Sequence, residues 1–261
     1  MEGSESKDRE VSGPLRPPVE MPSFGREEFV YLARVAEQTE QYDDMMNFVK
    51  EFIKLDADLK EEERTIFATA YKNGVGNKRA ELRVLTALEQ KEDRKGADAN
   101  SQVIKKYKAQ ISAELKKLCN EVIGIIEKSL LPKSKSSENR IYYFKMCGDY
   151  YRYLSEFPDE DEFDEVVEKA EKNYEEAKAS SLNLLTTNPI RLGLDLNRSV
   201  FYYEIVQNPS KAVKIAEEAF QAALNDVDKV KEEDYKECTF IMQLLRDNIT
   251  LWTAEINGEE G

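Results

Sequence analysis

From Glu27 onward apolar residues recur every three or four positions, and no stretch alternates polar and apolar residues for long enough to make a strand. Val103, Tyr107, Ile111, Leu115, Leu118, Val122 and Ile126 step through about seven turns of one helix. Val213, Ala216, Phe220, Ala223 and Val227 do the same in another. Pro132, Pro158, Pro189 and Pro209 each fall between periodic runs. Asn188–Pro189 and Asn208–Pro209 read as an N-cap followed by proline at the first helical position. The pattern predicts an all-α fold of nine helices, at roughly 26–40, 43–57, 60–93, 99–130, 137–157, 161–182, 189–206, 209–228 and 233–255. Such helices bury their stripes by packing antiparallel through short loops. A 34-residue self-similarity of the kind that marks helical repeats is absent.

Residues 1–25 hold four of the eight prolines and three of the eleven glycines, and read as a disordered tail. Residues 26–256 form the helical domain, and 257–261 a short acidic tail. The 261-residue chain carries a net charge of −14, which argues against nucleic acid or an anionic membrane as partner. It lacks an apolar run long enough for a membrane span, and the N-terminus lacks a signal-peptide core. Cys119, Cys147 and Cys238 lie in periodic apolar stretches and read as reduced, buried thiols of a cytoplasmic protein. There is no histidine, which removes Ser–His–Asp and Cys–His catalysis and the common zinc and di-iron sites. No metal and no cofactor is expected, and the weight moves from catalysis to binding.

Four helix faces differ from plain core-plus-solvent helices. On "YYFKMCGDYYRYLSEF" (142–157), Lys145, Asp149 and Arg152 fall within about 60° of each other, with Tyr153 beside them. Tyr143, Cys147, Tyr150 and Leu154 make the buried stripe opposite. On "AYKNGVGNKRAELR" (70–83), Lys72, Arg79 and Arg83 share a face with Gly76, with no acid between Lys72 and Arg79. Asn197 and Glu204 lie on a stripe with Ile190, Val200 and Phe201, and Asn248 lies amid Ile241, Leu244, Leu251 and Trp252. Taken singly, a basic row reads as solvated or paired, and an amide in an apolar stripe as a satisfied core residue. Taken together, two arginines and a lysine make a clamp for a dianionic phosphate, with Asp149 orienting the guanidinium. Tyr153 adds a hydroxyl, and the two amides could hold an extended peptide's main chain. This reading requires that the cation cluster have no acidic mate in its own chain strong enough to neutralise it.

"EQYDDMMNFVK", "AYKNGVGNKR", "YYFKMCGDYYRYL", "NPIRLGLDLNRSVFYYEI" and "FIMQLLRDNITLWT" resemble the signature segments of the 14-3-3 family, in that family's order, across residues 26–255. The resemblance implies a cup-shaped bundle of nine helices with an amphipathic groove, dimerising through its first helices. It implies a non-catalytic adaptor for phosphoserine and phosphothreonine peptides of client proteins. By motif position, Lys72, Arg79, Arg152 and Tyr153 match the phosphate clamp, and Lys145 lies beside the peptide. Asn197 and Asn248 match the main-chain contacts. Leu196, Val200, Ile241, Leu244, Leu251 and Trp252 match the apolar wall, which Glu204 supports.

The departures lie elsewhere. Lys78-Arg79-Ala80-Glu81-Leu82-Arg83 stands where the family typically reads Arg-Arg-Ser-Ser-Trp-Arg, so Glu81 replaces a serine. Gln41 and Gln110 stand where the family usually has cations that pair across the dimer. A homodimer weaker than is usual for the family is expected. Ser4, Ser6, Ser12 and Ser23 are candidate phosphosites of a regulatory tail. Two other classes remain at this stage: a helical-repeat scaffold binding unphosphorylated peptides, and a carboxylate-metal hydrolase. The acids of "EFPDEDEFDEVVEK" read instead as a solvated loop and helix start.

Overall fold

The computed structural model describes residues 24–158 and 162–259. The candidate phosphosites of the N-terminal tail lie outside the described residues, as do Asp159, Glu160 and Asp161 of the acidic loop. Nine long helices run in chain order among the described residues: α1 (Arg26–Gln38), α2 (Tyr42–Leu55), α3 (Glu61–Arg94), α4 (Asp98–Ile125), α5 (Ser137–Ser155), α6 (Phe163–Ser181), α7 (Pro189–Glu204), α8 (Pro209–Asn225) and α9 (Tyr235–Glu259). No strand occurs among them.

The caps are where the residue types require them. The Asn188 side chain accepts from the amides of Ile190 and Arg191 at 3.0 and 3.4 Å, and Asn208 accepts from Lys211 at 3.0 Å, each ahead of a proline at the first helical position. Three ends differ from the sequence reading by three residues or more. α4 continues through a π turn, Ile126–Leu130, into Leu131–Lys133, where Pro132 can donate no amide and crowds the preceding turn. α8 stops at Asn225 and yields to a 3₁₀ turn, Val227–Lys229. α9 runs on to Glu259, into the segment read as an acidic tail.

The core has two lobes. Phe52, Phe67, Tyr71, Leu115 and Tyr143 anchor the first, drawn from α2 to α5; Tyr174, Phe201, Tyr202, Leu245 and Trp252 anchor the second, drawn from α6, α7 and α9. Helix α5 serves both, giving Tyr143, Cys147, Tyr150 and Leu154 to the first lobe and Ile141 to the second. Alanines 170, 177, 212, 216 and 223 are fully buried in the second lobe, where small side chains let helices approach closely. All three cysteines are buried and unpaired. The α4 stripe departs from expectation at its start: Val103 and Tyr107 are 68% and 52% exposed, because there α4 turns Ser101 and Ile104 inward instead.

Candidate functional site

Helix α5 lies between the lobes and supplies the floor of a cavity of about 400 Å³. Lys145, Asp149, Arg152 and Tyr153 reach it from α5, Lys72 from α3, Ile190, Gly193 and Asn197 from α7, and Ile241 and Glu237 from α9. Arg79 sits beside it, its guanidinium 3.9 Å from the centre of the Tyr153 ring, while Arg152 lies 4.7 Å from the same ring.

Asp149 is the hub. It is 6% exposed, and its Oδ2 receives the Lys145 ammonium at 2.9 Å. Its Oδ1 accepts from the Tyr174 hydroxyl at 2.7 Å and from the Asn197 amide at 2.8 Å. Burial opposes the charge, yet Lys145 and Arg152 hold the carboxyl below the usual carboxylate range. Burial likewise works against the Lys145 ammonium, and Asp149 keeps it above the ordinary lysine value. Asp149, Lys145 and Arg152 therefore stay charged at neutral pH.

The expectation of a cation cluster without an acidic mate is corrected at Arg79. Glu156 takes a bidentate bond from it, at 2.9 and 2.5 Å, and lies 3.5 Å from Arg83. The terminal nitrogens of Arg152 stay 3.7 Å from Glu156 and 3.9 Å from Asp149, near enough for attraction but too far for hydrogen bonds. Lys72, Arg79, Lys145 and Arg152 thus stand with three carboxylates, Asp149, Glu156 and the cavity-lining Glu237, which leaves one positive charge over. Lys72 is exposed and has no ion-pair partner among the described residues.

The remaining sequence-predicted residues lie off this cavity. Glu204 is exposed and borders a shallower opening with Arg83 and Glu156. Trp252 is buried, its ring stacked at 4.5 Å on Tyr203, so it ties α9 to α7. Leu251 is 55% exposed, while Leu196, Val200, Leu244 and Asn248 are half-buried.

The family model described as "14-3-3 protein" matches residues 32–253. "14-3-3 protein 7" of Solanum lycopersicum is 48% identical over 237 residues, covering 90% of this chain and 93% of that protein. "14-3-3 protein 3" of Entamoeba histolytica is 47% identical over 236 residues, covering 90% and 98%. "14-3-3 protein epsilon" of Drosophila melanogaster is 44% identical over 236 residues, covering 90% of each.

The chain belongs to the 14-3-3 family. Its members are non-catalytic adaptors that bind partner proteins. Among the described residues of this 14-3-3 chain no helix is long and apolar enough to cross a membrane, and no group of carboxylates and thiols is disposed to hold a metal ion.

Glu156, Tyr174 and Glu237 escaped the sequence reading. Glu156 stands four positions after Arg152, so helical spacing alone puts it on that face; its bond to Arg79 on α3 is a tertiary fact. Tyr174 gives no such sign, because on the α6 stripe it reads as one more core aromatic.

Proposed function

We propose that this cavity binds a phosphorylated serine or threonine side chain presented by an extended segment of a client protein. Lys72, Arg79, Arg152 and Tyr153 hold the phosphate, Lys145 borders it, and Asp149 orients the cations. Asn197 and Asn248 bind the client's main chain. Leu196, Val200, Ile241, Leu244, Leu251 and Trp252 form the apolar wall, with Glu204 at its polar end. The observation that carries the reading is the excess of cations over carboxylates gathered at one cleft, in a chain of net charge −14. A phosphate dianion is drawn to that excess, and the open Arg152 terminal nitrogens match its oxygens.

The functional unit is a homodimer in the cytoplasm. The exposed apolar side chains of α1, α3 and α4 support the first statement, and three unpaired buried thiols support the second. Fluorescence polarisation with a serine peptide and its phosphoserine twin tests the proposal. Affinity is expected for the phosphorylated form alone; equal binding of both would favour a scaffold for unmodified peptides.

A further inference from the structure

We infer that Tyr174 is a positioning residue that couples the two halves of the groove, holding Arg152 for the phosphate and Asn197 for the client's main chain through the shared carboxylate of Asp149. The inference rests on the phosphopeptide reading above.

Tyr174 is 1% exposed on α6 and does not line the cavity, so it acts through the residues it touches. The direction of its bonds follows from the inventory of donors and acceptors. A guanidinium can only donate and an ionised carboxylate can only accept, so a hydroxyl between them must receive from the first and give to the second. Arg152 Nε donates to the Tyr174 oxygen at 3.3 Å, and that hydroxyl donates to Asp149 Oδ1 at 2.7 Å. Burial pushes the phenol well above its ordinary pKa, so the proton stays on the oxygen that gives it.

The consequences reach both ends of the groove. With Nε committed to Tyr174, Arg152 has the two terminal nitrogens of its fork free of hydrogen bonds to Glu156 and Asp149. Asn197 donates its amide nitrogen to the same Oδ1 at 2.8 Å, so its carbonyl oxygen remains for a donor on the ligand. The ring is itself held in place. A Cβ on Gly148 would stand 2.7 Å from it, so the absence of that atom in α5 is what lets α6 bring Tyr174 this close.

Tyr174→Phe removes one oxygen and keeps the ring. Phosphopeptide affinity, measured by fluorescence polarisation, should fall roughly three- to tenfold, with the thermal midpoint within a few degrees of the parent. A packing role alone would not produce the coupling expected next. Asn197→Ala should cost a smaller factor in the Tyr174→Phe background than in the parent, because the two residues act through one carboxylate. Asp149→Asn serves as the second variant: it should also weaken binding and absorb most of the Tyr174→Phe effect. Unchanged affinity in Tyr174→Phe, or factors that multiply independently in both double variants, would overturn the inference. Failure of the phosphopeptide reading appears separately, as a parent protein that binds phosphorylated and plain peptides alike.

Discussion

Lys72 and Arg152 occupy opposite extremes of the proposed clamp, and their substitution should differ accordingly. Arg152 is 6% exposed and buried against Tyr174, Tyr153, Asp149 and Glu156. Removing it by Arg152→Ala leaves Asp149 and Glu156 each short of a neighbouring cation, so both affinity and stability should fall. Lys72 is exposed and has no ion-pair partner among the described residues, so Lys72→Glu breaks no bond among them. It should lower phosphopeptide affinity more than tenfold, since a charge-assisted bond of about 1.5–3 kcal/mol is lost and a repulsion gained. The thermal midpoint should stay near that of the parent. Polarisation and a melting curve on both variants check the contrast; a Lys72→Glu protein that melts early, or that binds like the parent, contradicts it.

At the scale of elements, the close approach of α5 and α6 is the contact on which the groove's hydrogen-bond hub depends. A methyl group at Gly148 would meet the Tyr174 ring at 2.7 Å, whereas one at Gly124 on α4 meets nothing within 4 Å. Gly148→Ala should therefore destabilise the protein, because overpacking costs about 1–3 kcal/mol against a gain in helix propensity of about 1 kcal/mol. Gly124→Ala should raise stability slightly by the same propensity gain. Thermal melts of the pair decide the matter, at about 2–4 °C per kcal/mol for a domain of this size. Helices of this kind are legible in sequence because period and caps are local properties: Asn188 and Asn208 mark their helix starts without help from anything distant. The basic face of α5 was legible for the same reason. What joins α5 to other helices was not. The Arg79–Glu156 bond spans 77 positions, and the Tyr174–Asp149 bond spans 25, so no spacing rule connects either pair. Exposure of Val103 and Tyr107 escaped for a related reason, since a stripe shows which face is apolar but not what covers it.

For the whole molecule the open quantity is the strength of self-association. Tyr31 and Val35 on α1, Val84 and Leu88 on α3, and Val103 and Tyr107 on α4 are all exposed apolar groups available to a second copy. Association must bring together two bodies that each carry −14, so favourable charge pairs across the contact matter. Few are on offer. Lys78 is already taken by Glu114 at 2.9 Å and by Glu81 at 3.3 Å, Gln110 bonds Glu114 at 3.4 Å, and the Gln41 side chain bonds its own backbone at Thr39. Exposed pairs contribute about 0.2–1 kcal/mol each, so their loss weakens a dimer without abolishing it. Sedimentation velocity at low micromolar concentration should therefore find monomer and dimer together. Glu81→Ser removes a carboxylate from each copy and should shift the balance several-fold toward dimer. Added salt, which screens the repulsion of two acidic bodies, should shift it the same way. A dimer that stays whole on dilution and responds to neither change would mean that apolar burial along α1, α3 and α4 outweighs the missing charge pairs.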